Sequence, residues 1–314
     1  MICAILLIMP VMATYAGDKP LATVYSAQEN GGYVFSVGNS TYSGTLHPGD
    51  RYPVSFTIDI PEDATVRYQR YYLYWAWGRK DQQAVYPAIN ATQCSGEKTL
   101  TGPAVRYVDN KGFSSASDFY SGMDAFSCRN LTPGKNTVTF EVANTGEGNS
   151  TFVVQGAGVL AVYESPASPP GQIEVREGCD MLYSSYGITP EMATSRMDFS
   201  QDIDMARLSK ATLELVAPSG GYTRSDIIRK NAVGINHEQS GKLPPFITSV
   251  LSLVFPETRG KEWVDVFDSD QQQQIGIETR DVTPYLAARS NFATVQDRGD
   301  YLLLTNAILK VDYT

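Results

Sequence analysis

The two halves of this chain repeat each other in the same order, and this repeat limits the folds that the chain can adopt. Residues 64–78, ATVRYQRYYLYWAWG, align without a gap with residues 206–220, ARLSKATLELVAPSG. Three further matches follow in the same order: 87–90 with 233–236, 130–133 with 281–284, and 156–163 with 305–313. Matches that keep their order and spacing indicate an internal duplication. We therefore predict two copies of one folding unit in tandem.

A segment rich in proline and serine separates the two copies. It reads ESPASPPG at 164–171, where proline and serine interrupt helices and strands. We predict a signal peptide at 1–16, a first domain at 17–165, a linker at 166–171 and a second domain at 172–314.

Within each half, apolar and polar residues alternate with a period of two, as they do in strands with one buried face. The alternation is clearest in VSFTIDI at 54–60, TVTFEV at 137–142 and ATLELV at 211–216. Turn signals rich in Gly and Pro, such as HPGD at 47–50, separate these segments. Short alternating strands with such turns predict an all-β protein of two tandem antiparallel β-sandwich domains, jelly-roll-like in topology.

The repeat also predicts which face of one strand is buried. In the second copy Leu213 and Leu215 alternate with polar residues, so both should face the core. The aligned residues of the first copy that should face inward are Tyr71, Leu73, Trp75 and Trp77. Those that should face outward are Tyr68, Arg70, Tyr72 and Tyr74.

An outward row of three tyrosines and one arginine predicts a contact surface. Large exposed apolar patches mark contact sites, and Tyr and Arg are enriched in protein interfaces. We therefore expect this row to contact another protein chain or to stack on a sugar. The alternative is an aromatic ladder across strands that a loop of the same chain covers.

The N-terminus predicts export. Residues 1–13, MICAILLIMPVMA, form an apolar run that is too short to span a membrane. The run fits the hydrophobic part of a secretory signal peptide, with cleavage after Ala13 or Ala16. The alternative is an apolar first strand of the mature protein.

Four Asn-x-Ser/Thr sequons point to the same compartment, because such sequons accept glycans in exported proteins. All four lie in the first half, at Asn39, Asn90, Asn130 and Asn149. Pro133 follows the third sequon and makes it the poorest acceptor. We predict an extracellular glycoprotein.

The cysteines leave two arrangements open. Cys3 falls in the predicted signal peptide, which leaves Cys94, Cys128 and Cys179. There is no C-x-x-C pair to suggest zinc, and an odd count in an exported protein implies one bond and one remaining thiol. In one arrangement Cys94 and Cys128 form a disulfide and Cys179 is available to a neighbouring subunit. In the other, all three are buried thiols.

Charge and motifs argue against nucleic-acid binding and against catalysis. The formal net charge is -9, and a nucleic-acid partner requires a basic surface. The sequence contains no nucleophile elbow, no H-E-x-x-H and no P-loop. We predict that the protein is not an enzyme, with a two-carboxylate glycosidase as the remaining enzymatic alternative.

One acidic cluster could bind a metal. Asp265, Asp268 and Asp270 lie together in VDVFDSD, and carboxylates at the loop ends of a sandwich can hold calcium. The closing Glu and the spacing of an EF-hand are absent. Solvated loops are the alternative.

Several of these segments resemble an archaeal surface-domain family of unassigned function that is common in methanogens. The resemblance rests on YSGTLHPGD at 42–50, residues 64–78, GAGVLAVYE at 156–164, EGCDMLY at 177–183 and DVTPYL at 281–286. The chain is also similar to the subunit of the tubular sheath around filamentous methanogens. That resemblance implies an envelope lattice stabilised by strand pairing and disulfides.

We therefore expect an exported structural protein of the cell envelope that self-assembles into a sheath or surface layer. Its expected partners are copies of itself in a lattice or tube, and an envelope polysaccharide. The chain ends at Thr314, directly after the last predicted strand, so we expect no membrane anchor. The alternative function is a secreted adhesin or carbohydrate-binding module that uses Tyr68, Tyr72 and Tyr74.

Overall fold

The molecule is built almost entirely from antiparallel strands, which confirms the predicted all-β class. The computed structural model describes residues 15–81, 83–93, 98–100, 103–109, 121–222, 230–237 and 260–314. The strands of the first half are β1 (Ala22–Ser36), β2 (Thr45–Leu46), β3 (Arg51–Ile60), β4 (Thr65–Lys80), β5 (Gln83–Ala84), β6 (Ile89–Gln93), β7 (Lys98–Leu100), β8 (Val105–Asp109), β9 (Ser121–Ser127), β10 (Gly134–Asn144) and β11 (Thr151–Glu164).

The second half continues in the same way. Its strands are β12 (Pro170–Leu182), β13 (Thr194–Asp198), β14 (Leu208–Pro218), β15 (Asn231–Ile235), β16 (Lys261–Val264), β17 (Ile275–Asp281), β18 (Phe292–Asp297) and β19 (Leu302–Tyr313). A short 3₁₀ helix, Thr283–Tyr285, follows β17. None of the helical structure in the described residues has the length and apolarity of a membrane span.

Each half has the strand order of a jelly roll. In the first half, one sheet runs β1-β11-β4-β9 and the facing sheet runs β3-β10-β6-β7. The corresponding orders in the second half are β12-β19-β14-β17 and β13-β18-β15-β16. Every described strand of the second half therefore has a counterpart in the first, in the same chain order. This confirms the jelly-roll-like sandwiches, and it places β4 and β14 at equivalent inner positions.

The two larger sheets are continuous through β1 and pack on each other, and a four-stranded sheet covers the outer face of each. The molecule therefore has four layers of strands with buried side chains between them. The first-half core contains the inner face of β4, including Tyr71, Leu73 and Trp75, as predicted. The second-half core contains Leu213 and Leu215 from β14, also as predicted. A third core lies between the two larger sheets, whose back faces pack on each other.

β1 joins the two halves into one body. Residues 22–30 pair with β12, and residues 31–36 pair with β11. A Cβ atom on Gly31 would lie 2.0 Å from the backbone oxygen of Tyr163, so only glycine allows this approach. Strands that switch sheets in this way form the corners of packed sheets. The connection between β11 and β12 is correspondingly short, and β12 begins at Pro170, inside the predicted linker at 166–171.

Trp77 departs from the predicted inward face of β4. Its backbone is left-handed, with φ at 55°, and 42% of the residue is exposed. A bulky side chain rarely adopts this conformation. The aligned residue of the second half, Ser219, is also left-handed, with φ at 65°. Both copies of the fold therefore have a left-handed residue at this position. In the first copy this conformation turns the Trp77 side chain out of the core.

Candidate functional site

The predicted contact row lies inside the molecule. Tyr72 and Tyr74 are fully buried, and Tyr68 and Arg70 are half-buried. The prediction that these residues face solvent was therefore wrong. They do lie on the opposite face of β4 from Tyr71, but the second half of the same chain covers that face.

Glu177 is the centre of a polar network in this interface. The carboxylate is fully buried on β12, and Tyr68 and Tyr72 each donate a hydrogen bond of 2.8 Å to its Oε1. Tyr107 of β8 donates to Oε2 at 3.0 Å. The guanidinium Nε of Arg70 lies 3.6 Å from Oε1 and supplies a positive charge. The carboxylate is thus bonded through both oxygens, as a buried charge requires.

The tyrosines of this network are held protonated. Burial, followed by the negative charge of Glu177, raises the pKa of Tyr68, Tyr72 and Tyr107 well above the ordinary phenol value. Each of these phenols therefore keeps its proton near neutral pH and continues to donate its hydrogen bond to Glu177. The network therefore acts as a fixed connection between the two halves.

Tyr74 makes a second connection across the same interface. Its hydroxyl donates a hydrogen bond of 2.8 Å to Oδ1 of Asn306 on β19. Apolar contacts surround both tyrosines, with Leu160 from the first half and Ile308 from the second in the same buried cluster. The row predicted to contact another chain thus contacts the second copy of its own domain.

Sequence reasoning missed Glu177, although a signal for it exists. Ile173, Val175 and Glu177 share one face of β12 by the period of two, and the first two belong to the third core. An acid that continues an apolar face in this way indicates a buried and paired carboxylate.

Cys179 is buried and not at a surface. It is 4% exposed and carries a free thiol, and it packs with Tyr15, Met181 and Leu303. Burial, followed by the charges of nearby carboxylates, raises the pKa of its thiol. The arrangement in which Cys179 is available to a neighbouring subunit is therefore wrong for this structure. Cys94 lies outside the described residues, so its pairing with Cys128 stays a prediction.

Three carboxylates that the sequence did not single out lie close together. Asp18, Asp109 and Asp180 each place an oxygen within 4.8 Å of the other two, and Asp109 and Asp180 are fully buried. The ammonium of Lys19 lies 3.5 Å from Oδ1 of Asp109 and competes with any cation for that charge. Carboxylate oxygens are the ligands that calcium prefers. No local pattern indicates this group, because its members are far apart along the chain.

The predicted calcium ligands are not brought together in the part of the chain that the structure describes. Asp265 and Asp270 are exposed, and neither joins a group of ligand atoms with Asp268. Asp270 instead accepts hydrogen bonds from the backbone N–H of Gln272 and Gln273, which lower its pKa. This carboxylate therefore stabilises a turn.

The four sequons differ in exposure. Asn39 and Asn149 are exposed, and Asn90 is half-buried on β6. The side chain of Asn130 points inward, where its Oδ1 accepts hydrogen bonds from Gln69 and Tyr71 and its Nδ2 is buried. A glycan requires that nitrogen, so Asn130 is the poorest acceptor for a structural reason as well.

A surface cavity of about 280 Å³ lies at the end of the first jelly roll. Its lining residues are Thr45, Trp77, Arg79, Thr151, Phe152 and Val153. The three β11 residues lie between β2 and β4, since Thr45 pairs with Val153 and Arg79 pairs with Thr151. Trp77 enters this cavity because its left-handed backbone directs it away from the core.

The family of the chain follows from residues 14–312, which match the family model described as a protein of unknown function, DUF3344. The chain belongs to the DUF3344 family. The match includes β1 and β19 and therefore both jelly rolls. The DUF3344 unit is thus the whole four-layer body and not one sandwich. No curated protein matches this chain.

Some solved structures are distantly similar to the DUF3344 chain. The major capsid protein P2 of bacteriophage PM2 is 10% identical, with a TM-score of 0.21 over 89% of this chain and 98% of that chain. N-glycanase F is 9% identical, with a TM-score of 0.23 over 91% and 96%. A chain of the Sputnik virophage is 10% identical, with a TM-score of 0.22 over 92% and 86%. Similarity at this level carries no information on function.

Proposed function

We propose that this protein is an exported structural subunit of the cell envelope that assembles with copies of itself into a sheath or surface layer. Under this proposal it is not an enzyme, and it acts outside the cell. The observation that carries the proposal is the fusion of two jelly rolls into one four-layer body through β1 and the buried network at Glu177.

A fused body of this kind suits a lattice. The contacts of a subunit must keep a fixed relative geometry over many copies, and a flexible linker between two domains would not maintain it. Here the interface is apolar, buried and bridged by hydrogen bonds to a buried carboxylate. Such an interface holds the two sandwiches in one arrangement.

The duplication also supports repeated contacts. The two outermost sheets, one containing β3 and the other containing β13, are topological counterparts at opposite ends of the stack. Two related surfaces on one subunit allow head-to-tail contacts, which extend into open assemblies or close into rings.

Contacts by strand addition would avoid most of the β3 edge. The backbone groups of Ser55, in the middle of this edge, already have partners in the same chain. Ser55 N–H donates to Oδ1 of Asn39 at 2.7 Å, and Ser55 O accepts from Asn39 N–H at 3.1 Å. Pro53 removes a further donor from this edge. Among the described strands, β17 is the outer strand of the sheet β12-β19-β14-β17. Its free edge remains available for such pairing.

The sequons support the extracellular location. Asn39 and Asn149 are exposed and lie outside the strands, as glycan acceptors do. The resemblance to archaeal envelope proteins supports the same compartment.

Fractionation of the cells that make the protein tests this proposal. We expect most of it in the envelope fraction, sedimenting as large assemblies, with hexose or other glycan mass on the peptides that contain Asn39 and Asn149. Recovery of an unglycosylated monomer from the cytoplasm would overturn the proposal. Retention of a monomer on a polysaccharide column, without assembly, would instead support the alternative of a secreted binding protein.

The adhesin alternative loses its original basis. It required Tyr68, Tyr72 and Tyr74 at the surface, and the last two are fully buried. These residues are not proposed as a ligand site.

A further inference from the structure

The geometry points to a carbohydrate-binding site in the cavity that Trp77 lines. The proposal depends on four observations: the exposed indole, the internal repeat, the three polar residues that line the cavity beside the indole, and the position of a sequon. It does not depend on assembly of the protein into a lattice.

The first observation is the exposure of a large aromatic ring on a strained backbone. Trp77 is 42% exposed, whereas Trp75, two residues earlier on the same strand, is fully buried. Left-handed backbone at a bulky residue is costly, and such strain concentrates at functional sites. Exposure of the indole adds a second cost, because burial of its apolar surface would be favourable.

The second observation is that the second jelly roll repeats the left-handed backbone of Trp77 but not its tryptophan side chain. Ser219 occupies the equivalent position in the second jelly roll and keeps the left-handed conformation. Its hydroxyl accepts a hydrogen bond of 2.6 Å from Gln155 within the interface of the two halves. The fold therefore requires a left-handed residue at this corner, but it does not require tryptophan. The requirements of the fold therefore do not explain why the first copy has a tryptophan at this position.

The third observation is the chemistry around the indole. The face of an aromatic ring carries partial negative charge and attracts the weakly positive C–H groups of a sugar ring. Thr45 and Thr151 line the same cavity with hydroxyls that donate and accept, and Arg79 adds guanidinium donors. Sugar hydroxyls need partners of this kind at the edge of an aromatic platform. A cavity of about 280 Å³ lies just below the range of about 300–1,000 Å³ for small-molecule sites, so it suits one sugar residue.

The fourth observation is that an exposed sequon, a site where a glycan can be attached, lies beside the cavity. Asn149 is an exposed sequon two residues before Thr151, and its Oδ1 accepts a hydrogen bond of 3.0 Å from the N–H of Asp81. Asp81 lies two residues after Arg79, so the end of β4 and the start of β11 both lie close to Asn149. Asn149 lies in the turn two residues before β11 begins, and two residues of chain span at most about 7 Å. The carbohydrate is therefore either a glycan on Asn149, from this chain or a neighbouring copy, or a polysaccharide of the envelope.

The test uses the full mature chain produced without glycans. A glycan array with neutral and acidic oligosaccharides is followed by calorimetric titration of the best oligosaccharide on the array. We expect binding by the unmodified sequence, about tenfold weaker binding by Trp77→Ser, and partial recovery in Trp77→Phe, which restores a ring. Trp77→Ser places in the first copy the residue that the second copy already has, so the fold should persist, and a thermal melt verifies it.

The matched control is Tyr186→Ser. Tyr186 is also an exposed aromatic residue, at 64%, with a left-handed backbone, but it does not line the cavity. Its replacement should leave sugar binding unchanged. The proposal is overturned if no oligosaccharide binds, or if Trp77→Ser binds as well as the unmodified sequence, or if both serine variants weaken binding equally.

A second arm distinguishes the two sources. In the glycosylated native protein, acrylamide quenching measures how accessible the Trp77 indole is, with Trp77→Phe as the reference for the other tryptophans. If the glycan on Asn149 occupies the cavity, Asn149→Gln increases this quenching. If an external polysaccharide is the ligand, Asn149→Gln leaves the quenching unchanged and added envelope polysaccharide decreases it. No protection by either source would overturn the proposal for the native protein.

Discussion

The hydroxyl of Tyr72 donates a hydrogen bond of 2.8 Å to Oε1 of Glu177 and thereby joins the first jelly roll to the second inside a fully buried interface. The donor lies on β4 and the acceptor on β12. The bond is charge-assisted, so it is stronger than a bond between neutral groups. It makes the relative position of the two halves part of the folded core.

Removal of the Tyr72 side chain should therefore destabilise the monomer. We expect Tyr72→Ala to lower the free energy of unfolding by about 4 kcal/mol, since it leaves a cavity in a packed core. Tyr72→Phe keeps the ring and should cost about 2 kcal/mol for the hydrogen bond to a charged acceptor. Urea denaturation measures both, with Tyr186→Ala as an exposed control within about 0.5 kcal/mol of the unmodified protein. A Tyr72→Ala variant as stable as this control would contradict the buried interface.

Alkaline pH should unfold the protein cooperatively. Burial, together with the charge of Glu177, raises the pKa of Tyr68, Tyr72, Tyr74 and Tyr107 in the folded state. In the unfolded chain these phenols titrate near about 10, so above that pH the unfolded state binds fewer protons than the folded state. Stability is therefore unaffected below about pH 10 and falls above it, by about 1.4 kcal/mol per pH unit for each of the fully buried Tyr72 and Tyr74. The partly exposed Tyr68 and Tyr107 contribute less, because solvent screens their interactions.

Phenolate absorbance and far-UV circular dichroism, recorded together from neutral to strongly alkaline pH, check this expectation. The two signals should change together for the buried tyrosines, and Tyr72→Phe should make the loss of stability less steep. Ionisation of all 19 tyrosines near pH 10 with an unchanged dichroism spectrum would show that these phenols are accessible.

Cys179 should be unreactive in the folded protein. Its thiol is buried, and its raised pKa leaves little of the reactive thiolate. We expect iodoacetamide to label Cys179 only after denaturation, as measured by peptide mass spectrometry. We also expect Cys179→Ser to leave the resistance of any assembly to reducing agents unchanged. A disulfide between Cys179 residues of two chains would show that the assembled protein differs from this structure around Tyr15 and Met181.

The position of Tyr15 favours one of the two expected cleavage sites. Tyr15 is 2% exposed, its ring lies edge-on to Tyr183 at 5.6 Å, and its backbone oxygen accepts a hydrogen bond from Tyr183 N–H. Cleavage after Ala16 would remove this residue from its packing. We expect a mature N-terminus at Thr14, and a chain that begins at Gly17 should be less stable by about 3 kcal/mol. N-terminal peptide mass spectrometry and thermal melts check both, and a native N-terminus at Gly17 would contradict the prediction.

Sequence alone predicted the class and repeat of this fold because both depend on local patterns. The alternation in β3 buries every second residue from Tyr52 to Ile60, as expected of a half-buried strand. The gapless alignment placed β4 and β14 at equivalent positions and correctly assigned Tyr71, Leu73 and Trp75 to the core.

The error about Tyr72 and Tyr74 has a physical cause. A period of two tells which residues share a face of a strand, but it does not tell what covers that face. The cover depends on β1 crossing from one sheet to the other at residues 30–31, and this crossing is a long-range property of the packing. Trp77 was misassigned because one left-handed residue ended the alternation, and tryptophan gives no local signal for such a conformation.

The most direct test of the central proposal is electron cryomicroscopy of the purified mature protein at the concentrations and salt of its native envelope. We expect ordered tubes or sheets whose repeating unit is one four-layer body, with the Tyr72–Glu177 interface inside each subunit and not between subunits. A dispersed population of single subunits under all such conditions would contradict this proposal.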